Sequence, residues 1–346
     1  MKNERLAWVD TLRFLGMLAI YAGHLGTAGG QFHKFVWIYH VPLFFFVSGF
    51  FAKADDSLPK MAWRLTRTLL APYVFFALLS MTTLTLFNNW QFSNLKEAVA
   101  AFSLGTRNVS PVGSLWFFPC LFVAALGFGV VLRFTRSALA GLAFGAACLF
   151  LALHGLPFNP LNTPKWPLNV DSALYYVWWY ALGYAAFPHL KTLVQQPWFS
   201  VAGAIFLLVT ILVYFDGGAH IYSVTYLLPQ GRIQSLSQTA IGVVIVSIPI
   251  LGNIFLARCI EGVQILGEMG RRTLVMCGTE EVTKILLSQV LLMIGLKYQL
   301  GNPLQVIMYS FVCMLFSALV IGRALDKHAP KWSSLRTGSK IKVVSE

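Results

Sequence analysis

Three ionisable side chains interrupt an otherwise apolar stretch at residues 5–24: Asp10, Arg13 and His24. Because successive helical residues are 100° apart, Arg13 and His24 are predicted to share one stripe, roughly 16 Å apart along the axis. Asp10 falls within about 60° of both, and Tyr21 shares their face. Ionisable groups on a spanning helix face protein or a cavity and often mark function. The alternative is a structural Asp10–Arg13 ion pair, which does not explain His24.

A second histidine, His40, lies in the next apolar run, YHVPLFFFVSGFF at 39–51. Two antiparallel helices joined by a short loop would place His24 and His40 at similar depth, in the outer third of the membrane. A neutral imidazole there can take a proton from a hydroxyl and return it to a leaving group. The alternative role is that of a hydrogen-bonded core histidine. Pro42 is predicted to lie in the first turn of this helix, where proline is tolerated.

The elements that would position these side chains are transmembrane helices. Of the 346 residues, 57% are hydrophobic and only 11% are charged, whereas soluble chains have about 25% charged residues. The mean hydropathy is +0.68, and the apolar residues form long runs. This pattern predicts an all-α, polytopic membrane protein. The ten predicted spans are 8–26, 36–52, 69–87, 113–132, 138–155, 172–187, 198–215, 234–257, 272–295 and 303–322.

The net charge of +13 is concentrated between alternate spans and at the C-terminus. By the positive-inside rule, this distribution predicts that both termini are cytoplasmic. Residues 1–325 are predicted to form one transmembrane domain. Residues 326–346 are predicted to form a basic cytoplasmic tail that binds the inner leaflet of the bilayer and not nucleic acid. The five cysteines lie singly, without CxxC, so neither a metal site nor a disulfide framework is predicted.

Three longer segments are predicted on the outer face, at about 88–112, 156–171 and 216–233. They are rich in Asn, Pro, Gly and aromatic residues. Such segments are candidates to cover a polar substrate. The alternative is that they are ordinary interfacial loops with aromatic belt residues.

Several motifs along the chain resemble the integral-membrane acyltransferase-3 family. They are the Arg13-to-His24 spacing with Asp10 upstream, HVPLFFFVSG at 40–49, WRLTRTLLAPY at 63–73, SLWFFPCLF at 114–122 and LGEMGRRTLVM at 266–276. The resemblance covers nearly the whole chain. It implies ten spans in the bacterial cytoplasmic (inner) membrane. It also implies O-acylation of surface polysaccharides, lipopolysaccharide O-antigens, peptidoglycan, osmoregulatory glucans or antibiotics.

The resemblance further implies a donor and an acceptor. The donor would be acetyl-coenzyme A (acetyl-CoA) or another acyl-CoA, entering from the cytoplasm. The acceptor would be a hydroxyl of a sugar, polysaccharide or lipid-linked glycan, and no metal would take part. His24 would act as general base or transient acyl carrier, and His40 would assist at the outer end. Asp10 would hold Arg13, which would contact the donor or the developing charge.

Arg64 and Arg67 lie just before the third predicted span. The resemblance implies that they meet the phosphates of the donor, which a guanidinium binds well. The alternative is positive-inside anchoring. Trp116 is a candidate for substrate binding, with packing as its alternative role.

One segment departs from the family pattern. Many members carry a histidine several residues after the late Gly-Ser/Thr-Leu element, whereas this chain reads CGTEEVTK at 277–284. Lys284 is four residues from Glu280 and three from Glu281, so one pair can neutralise itself. The other carboxylate needs a partner or a proton. It is predicted to line the acceptor site or to pair with Arg13.

Two other functions fit the same residues. A transporter or flippase of lipid-linked sugar would use Arg13, His24 and Glu280 as a proton or substrate path. The other is a non-catalytic assembly partner.

Overall fold

The computed structural model describes residues 6–53, 57–87, 92–105, 107, 113–216, 235–295 and 300–328. Within these ranges the chain is helical and contains no strand, as the apolar runs predict. The helices are α1 Ala7–Gly23, α2 Gly30–Gly49, α3 Leu58–Phe87, α4 Phe92–Leu104, α5 Phe117–Thr135, α6 Ala138–Gly155, α7 Val170–Leu193, α8 Pro197–Asp216, α9 Leu236–Ile260, α10 Gln264–Arg271, α11 Thr273–Met293 and α12 Pro303–His328.

Each of the ten predicted spans overlaps one of these helices, and α4 and α10 are short additions. Five helical stretches in the described ranges are long and apolar enough to cross a membrane: Leu58–Phe87, Ser114–Thr135, Ala138–Gly155, Leu236–Ile260 and Pro303–His328. The protein is therefore a multi-pass membrane protein. The count of ten crossings and the cytoplasmic termini stay predictions. Most of the basic tail 326–346 and of loop 216–233, with part of 88–112, lies outside the described residues.

The second and third helices begin earlier than predicted. Helix α2 begins at Gly30, so Pro42 lies inside the helix and not in its first turn. Proline there cannot donate to the carbonyl four residues back, and the helix nevertheless continues because tight packing buries most of its residues. Helix α3 begins at Leu58 and not near residue 69. The first turns of this helix are polar, so the apolar run alone does not indicate the extension.

Helix α1 lies at the centre of the bundle. It packs against α2, α9, α10, α11 and α12, and most of its side chains are buried. The closest approach is to α10, where a Cβ on Gly270 would overlap the backbone carbonyl of Asp10. The ionisable stripe of α1 is consequently surrounded by protein, as expected for charged groups at membrane depth.

Helices α2 and α7 are in direct backbone contact. A Cβ on Gly49 would overlap the carbonyl of Tyr180, and a Cβ on Gly183 would overlap that of Phe46. Small residues allow membrane helices to approach this closely. The contact fixes α2, and with it His40, against α7.

The outer surface of the bundle is apolar. On α8, Val201, Ile205, Leu208 and Leu212 are all more than half exposed, and their spacing of three and four residues forms one stripe. Large exposed apolar surfaces of this kind are expected where a helix faces lipid.

Candidate active site

His24 caps the C-terminus of α1 and binds a carboxylate on α11. Its Nδ1 lies 2.7 Å from Oε1 of Glu280, and the Glu280 side chain is only 1% exposed. Lys284 Nζ lies 2.5 Å from the same oxygen, so the carboxylate also has a cationic partner. Since a carboxylate only accepts hydrogen bonds, Nδ1 of His24 carries a proton, and in the neutral form of the imidazole Nε2 has the lone pair. This tautomer is the one that a general base requires.

His40 has the same tautomer for a different reason. Its Nδ1 lies 2.8 Å from the carbonyl oxygen of Val36, and a carbonyl also only accepts. Nε2 of His40 is therefore an acceptor as well. The two imidazole rings lie 6.1 Å apart, nearly perpendicular. The two histidines are therefore neighbours, as consecutive helices joined by a short loop predict, and their depth in the membrane stays a prediction.

Two buried hydrogen bonds hold the start of α11 in register with the histidines. The Tyr21 hydroxyl donates to the carbonyl of Met276 at 2.8 Å. The Ser114 hydroxyl donates to the carbonyl of Cys277, also at 2.8 Å. Both carbonyls lie on the helical turn that precedes Glu280, so these bonds set the height and rotation of its carboxylate.

Arg13 lies at the other end of the α1 stripe and makes different contacts. Its Nη1 is 3.6 Å from Oδ1 of Asp10, and its Cζ is 4.5 Å from the ring centroid of Phe51. The Asp10–Arg13 pair predicted from the spacing is thus present. Arg13 also lines a large cavity, and a structural and a functional role both stay predictions.

That cavity has a volume of about 750 Å³ and lies between α1, α2, α3, α5 and α11; we call it the basic cavity. Its cationic lining residues are Arg13, Lys53, Lys60, Arg64 and Arg67, and no acidic side chain lines it within the described part of the chain. Its other lining residues are mostly apolar and aromatic. Such a cavity is suited to a ligand with an anionic head and a slender, less polar arm.

The basic cavity leads towards His24. On α1 its lining reaches Ile20, one turn before His24, and on α11 it reaches Cys277, one turn before Glu280. The cavity therefore runs from the cationic residues to the neighbourhood of the His24–Glu280 pair.

The position of Arg64 and Arg67 has a local cause in α3. Pro72 has no N–H to donate to the carbonyl of Thr68, and residues Thr66–Leu70 form a wider π-helical turn. The Thr68 hydroxyl bonds back to the carbonyl of Arg64 at 2.8 Å. Such turns are frequent at functional sites, and here both arginines line the cavity.

The remaining predicted residues are distributed as follows. Glu280, and not Glu281, pairs with Lys284, and neither glutamate pairs with Arg13. The predicted pairing with Arg13 was wrong, because Arg13 lies about three turns before His24 on α1, whereas Glu280 lies beside His24. Trp116 does not line the basic cavity, and its ring lies 4.4 Å from Cζ of Arg107.

Sequence reasoning missed two features of this site. The His24–Glu280 bond joins helices 256 positions apart, and the only signal for it was that a buried carboxylate needs a partner. Lys53 and Lys60 also line the basic cavity, and the only sequence signal for them is that they share a short basic segment with Arg64 and Arg67.

Comparison with known families identifies the chain. The family model described as an acyltransferase domain, that of acyltransferase 3, matches residues 6–322. The chain belongs to the acyltransferase-3 family. No curated protein and no solved structure matches it. The matched region contains every candidate residue above. As a member of this family, the protein is a membrane acyltransferase, and the match favours that function over the transporter and assembly alternatives.

Proposed function

We propose that this membrane acyltransferase is an O-acetyltransferase that moves an acetyl group from acetyl-CoA to a hydroxyl of a sugar or glycan. The observation that carries the proposal is the basic cavity, which joins a cluster of cations to the turns below His24 and Glu280. Coenzyme A has the matching form, with phosphates at one end and the thioester at the end of a narrow arm.

The donor phosphates would bind at the cationic end of the cavity. Arg64 and Arg67 offer planar guanidinium groups, which bind phosphate through paired hydrogen bonds. Lys53 and Lys60 add positive charge. Arg13, stacked on Phe51, also contacts the donor there, since it lies too far from His24 to reach the reacting carbonyl.

The acyl end of the donor would reach His24 between apolar walls. Met17, Ile20, Phe44 and Phe117 line this part of the cavity. They exclude water from the thioester, which favours transfer over hydrolysis.

The reaction then follows from the two imidazoles. Nε2 of His24 takes the proton of the acceptor hydroxyl while that oxygen bonds to the thioester carbon. The carbon–sulfur bond breaks, and the proton returns from the imidazolium to the sulfur of coenzyme A. Glu280 stabilises the imidazolium and holds its tautomer, as a carboxylate does in other acyl-transfer sites. His40 assists by orienting the hydroxyl from the other side.

Replacing Arg64 and Arg67 by Gln together tests the donor site. We expect KM for acetyl-CoA to rise roughly 10-fold or more, with KM for the acceptor unchanged, because lost phosphate contacts weaken donor binding first. The measurement is steady-state kinetics of coenzyme A release by purified protein.

The matched control is Arg133→Gln with Arg136→Gln. It removes two charges from the same predicted side, at the end of α5, where neither residue lines the cavity. If both double variants shifted donor KM equally, the arginines of α3 would serve only as membrane anchors.

A further inference from the structure

A second cavity, of about 80 Å³, lies between α2, α6, α7 and α9; we call it the outer cavity. It shares no lining residue with the basic cavity. Helix α2 divides the two. Trp37 and His40 line the outer cavity, whereas Phe44, one turn further on, lines the basic cavity. His40 therefore lines the outer cavity, and its ring lies 6.1 Å from that of His24, which is not among the described lining residues of either cavity.

Arg107 gives the outer cavity its charge. It is the cationic residue of a lining in which the structure shows no carboxylate among the residues it describes. Its Nη1 donates to the hydroxyl of Tyr176 at 3.0 Å, and its Cζ lies 4.4 Å from the ring centroid of Trp116. These contacts orient the guanidinium without neutralising it.

The backbone at Arg107 is also fixed. Its N–H donates to Oδ1 of Asn169 at 2.6 Å, and Asn169 is fully buried. The amide of Asn169 donates in turn to the carbonyl of Gly105. The guanidinium is thus held in place before any ligand binds, which lowers the entropic cost of binding.

One carboxylate in the same region is held by backbone hydrogen bonds. Asp171, at the start of α7, accepts backbone N–H bonds from Lys165 at 2.6 Å, Trp166 at 3.0 Å and Ser172 at 2.8 Å. In the described ranges no acidic side chain forms an ion pair with Arg107. A partly buried guanidinium without a carboxylate favours an anionic ligand.

The rest of the lining suits a saccharide. Asn159, Asn162 and Thr239 line it with amide and hydroxyl groups, and Tyr175 lines it with an aromatic ring. Oδ1 of Asn159 also accepts the N–H groups of Leu161 and Asn162, and the Thr239 hydroxyl lies 3.0 Å from Nε2 of His154. Pockets that combine apolar faces with a few placed polar groups bind and orient small polar ligands. The acceptor nitrogen of His40 completes the lining, so a hydroxyl could bind beside the histidine pair.

We infer that the outer cavity is the acceptor site and that it selects a saccharide with an anionic group, carboxylate or phosphate, close to the hydroxyl that is acylated. The anion pairs with Arg107 while the hydroxyl faces His40 and His24. This inference rests on the proposed function, since it requires that a sugar hydroxyl be the acceptor.

Acyl transfer in native membranes tests the inference. Labelled acetyl-CoA is supplied to membranes that contain the wild-type protein, and the glycans are separated by anion exchange. We expect the label to enter the anionic fraction as an alkali-labile ester. Prior chemical reduction of carboxyl groups abolishes labelling if the anion is a carboxylate, and phosphatase treatment abolishes it if the anion is a phosphate. Labelling that survives both treatments, or that enters neutral glycans, overturns the inference.

Arg107→Gln provides the second arm, with the purified anionic glycan as acceptor. We expect KM for that glycan to rise roughly 10- to 100-fold, the effect of losing a charge-assisted hydrogen bond. KM for acetyl-CoA should stay at the wild-type value, which also shows that the variant is folded. Lys165→Gln is the matched control, because Lys165 is an exposed cation in the same region that does not line the cavity.

The outcomes separate the two proposals. If the wild-type protein transfers acetyl groups and Arg107→Gln leaves the acceptor KM unchanged, the acceptor inference fails and the proposed function stands. If the wild-type protein transfers no acetyl group, both fail.

Discussion

Replacing His24 by Ala should lower acyl transfer by about 10³-fold or more while the protein stays in the membrane. General bases contribute roughly 10²- to 10⁴-fold to catalysis, and His24 is the imidazole that combines a bare Nε2 with a buried carboxylate on Nδ1. Little packing is lost, because His24 ends α1 and its side chain is 21% exposed. Initial rates of coenzyme A release, with membrane-inserted protein quantified by immunoblot, measure the effect.

His33 offers a matched control for His24. It lies in the first turns of α2, and its Nδ1 bonds to the carbonyl of Gly23 at 2.8 Å, but it has no carboxylate partner in the described residues. His33→Ala should therefore retain at least a tenth of wild-type turnover. A His24→Ala protein with near wild-type turnover would remove His24 from the mechanism.

Glu280→Gln should reduce turnover by about 10²- to 10³-fold with little change in the KM for acetyl-CoA. A neutral amide no longer stabilises the imidazolium, and it can present its NH₂ to Nδ1 and favour the wrong tautomer, an effect known to be large in acyl-transfer sites. Because the bond acts on the chemical step and not on donor binding, the loss should appear in kcat. Steady-state kinetics with varied acetyl-CoA separate the two parameters.

Two variants of α11 serve as comparisons for Glu280→Gln. Glu281→Gln removes the adjacent carboxylate, which has no hydrogen bond to His24, and should cost less than about 10-fold in kcat. Lys284→Met removes the other partner of Glu280 and leaves the bond to His24 in place. If Glu281→Gln were as inactive as Glu280→Gln, the effect would come from the charge of the helix and not from the bond to His24.

The features that the sequence predicted well are those set by neighbouring residues. The helical segments follow from apolar runs, and the proximity of His24 and His40 follows from two consecutive helices joined by a short turn. The Asp10–Arg13 pair follows from a spacing of three residues on one helix. Local geometry is sufficient for each of these predictions.

The features that it did not predict depend on how distant helices pack. Glu280 meets His24 because bonds such as that between Tyr21 and the Met276 carbonyl set the register of α11 against α1, and no sequence pattern encodes such a register. The early start of α2 at Gly30 was missed because polar residues precede the apolar run. The two ends of the α1 stripe also lie in different surroundings, since Arg13 lines the basic cavity and His24 lies beyond it. Only the packing of the helices shows this difference.

Transfer of label from acetyl-CoA in oriented membrane vesicles tests most directly whether the chain carries acetyl groups from a cytoplasmic donor to a glycan. Inside-out vesicles from native membranes expose the predicted cytoplasmic face, whereas sealed right-side-out vesicles hide it. In inside-out vesicles with the wild-type protein, we expect an alkali-labile acetyl ester on glycan, with one coenzyme A released for each ester formed. We expect no such ester in right-side-out vesicles or in inside-out vesicles with His24→Ala. Release of coenzyme A and labelling of glycan no greater than in the His24→Ala vesicles would contradict the proposed function.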